Sequence, residues 1–331
     1  MGAYETVTVV GAGLAGCECA LQLARRGVPV RLVEQRPKKS SPAHHTDGMA
    51  ELVCSNSLKS MRHDSAAGLL KEELALMGSE LIALAKQAAV PAGGALAVDR
   101  ERFSELVGAR VASEPLIEVV REEATSVPEG RSVIAAGPLC SDALASCLSQ
   151  LVGSESLSFF DAAAPIVDAE TIDRSIVFSQ SRYEEQGAGD YLNCPMNKDE
   201  YEAFMEALLG AERVVARDFE KRDLFCACQP VEEVARTGID AARYGAMKPV
   251  GLTDPRTGRR PWAVVQLRPE NADCTSYNLV GFQTNLTWPE QKRVFRLIPG
   301  LENAEFFRYG VMHRNSFVDA PRVLDDTFAI P

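Results

Sequence analysis

Residues 7–34 spell out a strand, a glycine-rich turn, a helix and a second strand, and few chains built that way do anything but grip a dinucleotide. Val7-Thr8-Val9-Val10 is an apolar strand that runs into Gly11-Ala12-Gly13-Leu14-Ala15-Gly16. A helical stretch follows from Cys17 to Arg26, and then a second strand, Val30-Arg31-Leu32-Val33, ends on Glu34, eighteen positions after the last glycine. Each residue type has a mechanical reason. The first glycine permits the tight turn, the second leaves no side chain where a pyrophosphate approaches, and the third lets helix and strand pack closely. Ala12, Leu14 and Ala15 complete the turn against the cofactor, and the helix N-terminus that follows offers unpaired N–H groups and positive dipole to phosphate. Glu34 is placed to accept from ribose hydroxyls. A glycine-rich turn alone would be a weak signal; both strands, the helix and the acid together select the dinucleotide reading.

At 331 residues the chain is long enough for about two domains. Its 46% hydrophobic and 24% charged residues are those of a globular protein. No apolar run reaches the roughly 18 residues of a membrane span, and the chain enters its first strand at once, so neither a signal peptide nor a membrane is expected. Nine cysteines without paired C-x-x-C sets read as thiols in a reducing cytoplasm. Cys226-Ala227-Cys228 is spaced too tightly for the usual zinc ligands, and no metal is expected. A net charge of −11 argues against a general nucleic-acid binder, though not against one basic face. Arg36, Lys38, Lys39, Arg256, Arg259 and Arg260 are candidates for local patches, each of which taken alone reads as a solvated loop charge.

The polar segment 36–64, with Pro37, His44, His45, Cys54 and Asn56, reads as one long loop, and long ordered loops are usually functional. The leucine pattern of 65–90 predicts a helix, broken by Pro91-Ala92-Gly93-Gly94. Strands are expected at 95–98, 116–121 and 131–136, with Asp99 capping a helix through Phe103 and Leu106. Beyond about 155 the character changes. Strands are expected at 164–168, 175–179, 262–267 and 277–283, and a helix at 198–209. The fold class is therefore α/β, a Rossmann-like domain carrying an inserted α+β domain.

Ten strings go further than the glycine motif: 42–44 (PAH), 52–57 (LVCSNS), 91–100 (PAGGALAVDR), 191–196 (YLNCPM), 228–233 (CQPVEE), 247–252 (MKPVGL), 265–268 (VQLR), 280–284 (VGFQT), 299–304 (PGLENA) and 308–315 (RYGVMHRN). Together they resemble the folate- and FAD-dependent tRNA (uracil-5-)-methyltransferases, from the first strand to about Leu324. A more distant resemblance is to the flavoprotein subunit of the enzyme that adds carboxymethylaminomethyl groups to tRNA wobble uridines. Members of the resembled family continue past Pro331 with a strand and a glycine-rich helix that return to the flavin domain. The expectation is thus an adenine half-site that is intact and a flavin-ring side short of that piece.

The resemblance implies FAD as cofactor, 5,10-methylenetetrahydrofolate as carbon donor, NADPH or NADH as reductant and the T-arm of tRNA as partner. Residues 1–155, with part of 302–331 returning, would form the FAD-binding domain, and 156–301 the insertion carrying the nucleophile. Cys228 matches the family's proposed nucleophile and Cys54 its flavin-adjacent base, whereas Cys226 and Cys194 read as packing. The chemistry needs such a pair. C5 of uracil is a poor nucleophile until a thiolate adds to C6, and a base must then remove the C5 proton. Reduced flavin supplies the hydride that turns the resulting methylene into methyl. Ser55, Asn56 and Ser57 are candidates to reach the flavin ring, and His44, Arg314 and Asn315 to contact folate or RNA; His313 lies in the same string. Asp99 and Arg100 read as capping and pairing residues. Three alternatives stay open: the same chemistry on a ribosomal RNA uridine, a non-catalytic flavin- or RNA-binding homologue, and a flavin oxidoreductase of small molecules, which would have no use for Cys228.

Overall fold

The protein, seen in a computed structural model, is described over residues 4–41, 43–153, 157–183, 189–214 and 229–330, with backbone alone at 157–161 and 313–316. Its first layer is a parallel sheet. Strand β1 (Val7–Val10) is central, flanked by β2 (Val30–Glu34) and β7 (Ser132–Ile134), and β6 (Ile117–Arg121) lies outside β2. Val9 and Val10 of β1 are buried in this layer, as expected of a central parallel strand covered on both faces. Helix α1 (Leu14–Arg25) packs on this sheet through Cys17, Ala20 and Leu21, which are fully buried. Helices α3 (Glu80–Gln87) and α4 (Arg100–Ala112) close the layer, and Phe103, Val107 and Val111 recur at the helical spacing that keeps them on one inward stripe. Helix α5 (Asp142–Val152) follows β7, with Ser141 Oγ accepting from Leu144 N at its start.

The excursion between β2 and β6 departs from the sequence expectation twice. The stretch 65–90 is not one helix: α2 (Ala66–Leu76) ends at Met77, and Gly78, at φ +81°, turns the chain before α3. Ser79 caps α3, and the carboxylate of Glu18 on α1 accepts from Ser79 Oγ (2.8 Å) and Leu81 N (2.9 Å). The loop 36–64 also ends in a strand, β3 (Ser57–Ser60), which pairs antiparallel with β5 (Ala95–Val98) beside β4 (Ala89–Val90). Asp99 caps α4 as expected, accepting from Arg102 N.

The insertion is built on a six-stranded sheet in the order β10 (Phe178–Ser179), β11 (Leu192–Met196), β12 (Ala263–Pro269), β13 (Ser276–Leu279), β9 (Ile166–Asp168), β14 (Phe306–Arg308), antiparallel throughout. Helix α6 (Lys198–Leu209) spans the expected residues because a capping box fixes its start: Asn197 Oδ1 accepts from Glu200 N, and Glu200 Oε2 accepts from Asn197 N. Short helices α7 (Val231–Arg236) and α8 (Ala241–Tyr244) and helix α9 (Trp288–Phe295) complete the layer over a core that includes Phe204, Phe282 and Phe295. The rings of Phe204 and Phe295 lie 6.1 and 5.8 Å from Phe282. The insertion runs further than residue 301, because β14 joins its sheet and Phe306 packs on its core. The chain then turns into β15 (Met312–Phe317), paired residue for residue with β8 (Leu157–Ala162), so a two-stranded ribbon is the link between domains. Helix α10 (Ala320–Val323) follows. Among the described residues no helix is long and apolar enough to cross a membrane.

Candidate functional site

The three glycines of the loop have different steric surroundings. Gly11 adopts φ +100°, and a Cβ there would sit 2.6 Å from the Ala135 carbonyl oxygen on the neighbouring crossover. A Cβ on Gly16 would run into the Gly11 carbonyl. A Cβ on Gly13, by contrast, would meet nothing within 4 Å. Gly13 is the N-cap of α1, has no side chain to cap with, and is followed by the exposed Leu14 and Ala15. Open space, helix N-terminal N–H groups and no side chain are what a pyrophosphate requires, so these residues fit an FAD.

Glu34 closes the other side of this cleft. Its Oε2 accepts from Ala12 N (2.8 Å), and its Oε1 from Arg36 N (3.1 Å) and Arg36 Nε (2.8 Å). A carboxylate has about four acceptor sites, so capacity for one ribose hydroxyl remains. Burial alone would raise the Glu34 pKa, but the Arg36 side chain and the two backbone donors outweigh it and hold the carboxyl below its ordinary range. Arg36 is itself only 2% exposed and bridges Glu34 to Glu51 (2.8 Å each), a correction to its reading as a solvated loop charge. Lys39 pairs with Glu123 at 2.6 Å. His44 lines the same cleft, with its Nδ1 2.8 Å from Ser41 Oγ.

The Cys54 loop is held residue by residue by arginines that sequence reasoning did not assign to it. Arg100 Nη1 donates to Leu52 O (2.6 Å) while its guanidinium pairs with Glu270 (2.7 Å). Arg308 Nη1 reaches Val53 O at 3.5 Å. Arg268, in the buried strand β12, donates to Ser55 Oγ (2.8 Å) and Asn56 Oδ1 (2.9 Å). Burial lowers the pKa of both Arg268 and Arg308, the latter to about 10. Asn56 is fully buried and donates to Val98 O and Pro269 O, so its amide braces the two domains against each other. The half-buried Cys54 Sγ lies 3.9 Å from Ala162 O, at the end of the interdomain ribbon. One signal for Arg268 was available: an arginine in a strand whose other residues, Gln266 apart, are apolar must find buried acceptors.

Cys228 and Cys226 lie outside the described residues, but the chain on either side of them is anchored. Val214 N donates to Asn285 O (2.9 Å), and Val231 N donates to Gln283 O (2.7 Å). Glu232, fully buried, accepts from Thr284 Oγ1 (2.9 Å) and Asn285 N (2.6 Å), and burial raises its pKa. Both stems of that segment thus dock on 283–285. The same Thr284 packs against Gly310, where a Cβ would lie 2.6 Å from Thr284 Cγ2 and 2.7 Å from Ala163 O. Ala163 N in turn donates to Val311 O (2.9 Å), next to Ala162 and Cys54. One packed path therefore joins the roots of the Cys228 segment to the Cys54 loop.

Arg314 and Asn315 sit on β15 opposite Phe160 and Phe159; their side chains, and that of His313, lie outside the described residues. Cys17 and Cys194 are buried thiols, the first pushed up to about 12 by burial and the second raised further. Among the described residues no cluster of three or more His, Cys, Asp or Glu is placed to hold a metal ion.

Comparison with known proteins adds to this geometry. The family model described as "Glucose inhibited division protein A" matches residues 6–330. The chain is 60% identical over 325 residues to the methylenetetrahydrofolate–tRNA-(uracil-5-)-methyltransferase TrmFO of Geobacter sulfurreducens, covering 98% of this chain and 75% of that one. Identity to the proteins of the same name from Pelotomaculum thermopropionicum and Enterococcus faecalis is 58% and 56%, each over 98% of this chain and 74% of the relative. Among solved structures, Aquifex aeolicus GidA in its form II crystal superposes with a TM-score of 0.68 at 14% identity, over 99% of this chain and 59% of that chain, a likeness of fold.

Proposed function

The chain belongs to the methylenetetrahydrofolate–tRNA-(uracil-5-)-methyltransferase family, and from that premise we propose that it methylates C5 of a T-loop uridine in tRNA, taking the carbon from 5,10-methylenetetrahydrofolate and reducing equivalents from NADPH or NADH. Gly11, Gly13, Gly16 and the first turn of α1 would hold the FAD pyrophosphate, and Glu34 its ribose. Bound FAD supplies the hydride that completes the methyl group.

The chain's own residues do the rest. The Cys228 thiolate adds to C6 of the uracil, and the displaced double-bond electrons make C5 able to attack the donor's methylene carbon. Cys54 takes the C5 proton as the bond from the methylene carbon to the folate nitrogen breaks and tetrahydrofolate leaves, and the Cys228 sulfur departs from C6 when hydride reaches the exocyclic methylene and the C5–C6 double bond re-forms. Arg100, Arg268 and Arg308 keep the Cys54 loop in place for that transfer, and holding a reacting group in position removes part of the entropic barrier.

The observation that carries the reading is the packed path Glu232–Thr284–Gly310–Ala163, which sets the anchored stems of the Cys228 segment against the ribbon that touches Cys54. The test is reconstitution of the purified chain with FAD, methylenetetrahydrofolate, NADPH and a T-arm RNA. Nucleoside mass spectrometry should find 5-methyluridine, and Cys228→Ala should retain flavin and make none. Full activity in Cys228→Ala would remove the mechanism.

A further inference from the structure

Residues 243–262 carry five basic side chains, Arg243, Lys248, Arg256, Arg259 and Arg260, and one acid, Asp254, on a chain whose net charge is −11. The fold gathers them. Asp254, 4% exposed, builds a tight turn: its N–H donates to Arg259 O (2.9 Å), its carbonyl accepts from Gly258 N (2.8 Å), and its carboxylate accepts from Arg256 N and pairs with the Arg256 guanidinium at 3.0 Å. The one acid is thus consumed inside the turn. Arg259 and Arg260 stand on its exposed end, and among the described residues neither side chain has a hydrogen-bonding or ionic partner. The turn leads into Trp262, over whose ring the Arg243 guanidinium stacks at 3.6 Å with Lys198 beyond it. Met247 O accepts from Val264 N, which brings exposed Lys248 alongside, and Tyr244 is 80% exposed next to Arg243. Of the acids near this surface, Asp240 pairs with Arg243 at 2.9 Å, Glu202 pairs with Lys198, and Glu200 Oε2 accepts from Asn197 N at the start of α6.

A rigid turn that spends its acid internally and presents unpartnered arginines beside an exposed tyrosine is a poor device for stability, since it concentrates like charge. It is a good device for a polyanion. We propose that the 254–260 turn, with Lys248 and Tyr244, is a docking surface for the phosphate backbone of the RNA substrate. The inference rests on the RNA-methylating reading above and adds to it the face by which the stem is held. Guanidinium groups without protein partners release counterions on meeting phosphates, and the uneven charge lets an acidic protein bind RNA on one side only.

The test is the salt dependence of T-arm RNA binding by the FAD-loaded chain, followed by fluorescence anisotropy. Each phosphate contact contributes about −0.7 to −0.9 to the slope of log K against log salt. Arg259→Gln/Arg260→Gln should shrink the slope by about 1.4–1.8, so that between 50 and 200 mM salt the wild type loses about 7–12-fold more affinity than the variant. Arg259→Lys/Arg260→Lys should restore the slope, because a point charge suffices for phosphate. Flavin content reports that each variant is folded. Lys86→Gln/Arg102→Gln, an equal charge change on the first domain, should leave the slope as it was. An unchanged slope in the Gln variant, or an equal loss in the first-domain control, overturns the proposal. If the wild type methylates RNA while the Gln variant keeps its slope, only this surface is wrong; if the wild type neither binds nor methylates RNA, the functional reading falls with it.

Discussion

Gly13→Ala separates holding the cofactor from holding the fold. The backbone at Gly13, φ −75° and ψ −166°, is extended and open to alanine, and the new Cβ would have no neighbour within 4 Å. Losing glycine at an N-cap costs roughly 0.5–1 kcal/mol. Restricting the unfolded chain returns about 0.4–1 kcal/mol, so the apoprotein should melt within about a degree of the wild type. The methyl group, however, enters the space that a pyrophosphate would fill. Forcing a methyl into a filled site costs about 1–3 kcal/mol, which is about 5–150-fold in FAD dissociation constant. Gly16→Ala should do the reverse, because its Cβ collides with the Gly11 carbonyl and the turn itself must open. Thermal unfolding of the apoprotein and flavin fluorescence titration read the two effects apart. Wild-type FAD affinity in Gly13→Ala would refute the placement of the pyrophosphate, and an unfolded Gly13→Ala would refute the claim of open space.

Three further outcomes follow from the same geometry. Gly310→Ala, which would bring a methyl to 2.6 Å from Thr284 Cγ2 and 2.7 Å from Ala163 O, should destabilise by about 1–3 kcal/mol; its turnover should fall by about tenfold to a hundredfold as the Cys228 stems shift, with FAD affinity retained, as kcat and flavin titration would show. Arg268→Ala strands the buried Asn56 oxygen, a loss of about 1–3 kcal/mol, and should loosen the Cys54 loop enough to make that thiol alkylate faster, measured by mass-mapped iodoacetamide labelling. Glu34 has a folded-state pKa below its ordinary 4.5, so the stability it contributes is complete above that value and is lost as pH falls through the folded pKa; Glu34→Gln should flatten the acid limb of a chemical-denaturation series between pH 5 and pH 3.

The geometry of the glycine turn was legible in the sequence because every contact in it is local or one strand away. Gly11, Gly13 and Gly16 are dictated by backbone sterics that residue type alone reveals, and α6 begins where it does because Asn197 and Glu200 cap each other three residues apart. The helix over 65–90 was misjudged because leucine periodicity continues across Gly78, while the break is set by Ser79 and by Glu18 on another helix. Arg36 read as a loop charge, yet it is the buried link between Glu34 and Glu51, and nothing in its neighbourhood of prolines and lysines announces that. Asn56 shows the limit best. As a residue type beside Cys54 it suits a flavin contact, but its side chain is committed to Arg268, 212 positions away. Which residues hold the Cys54 loop is a property of the domain interface, and one sequence read in order does not display that interface.

The most direct measurement is to capture the bond between sulfur and pyrimidine. A T-arm RNA carrying 5-fluorouridine at the methylation site presents no C5 proton to remove, so an adduct at C6 would persist. With methylenetetrahydrofolate and reduced FAD present, the wild type should give a slow-migrating protein–RNA band on a denaturing gel whose digested peptide carries the nucleotide on Cys228, and Cys228→Ala should give none. A stable adduct in Cys228→Ala, or a peptide map that puts the nucleotide on Cys54, would contradict the account.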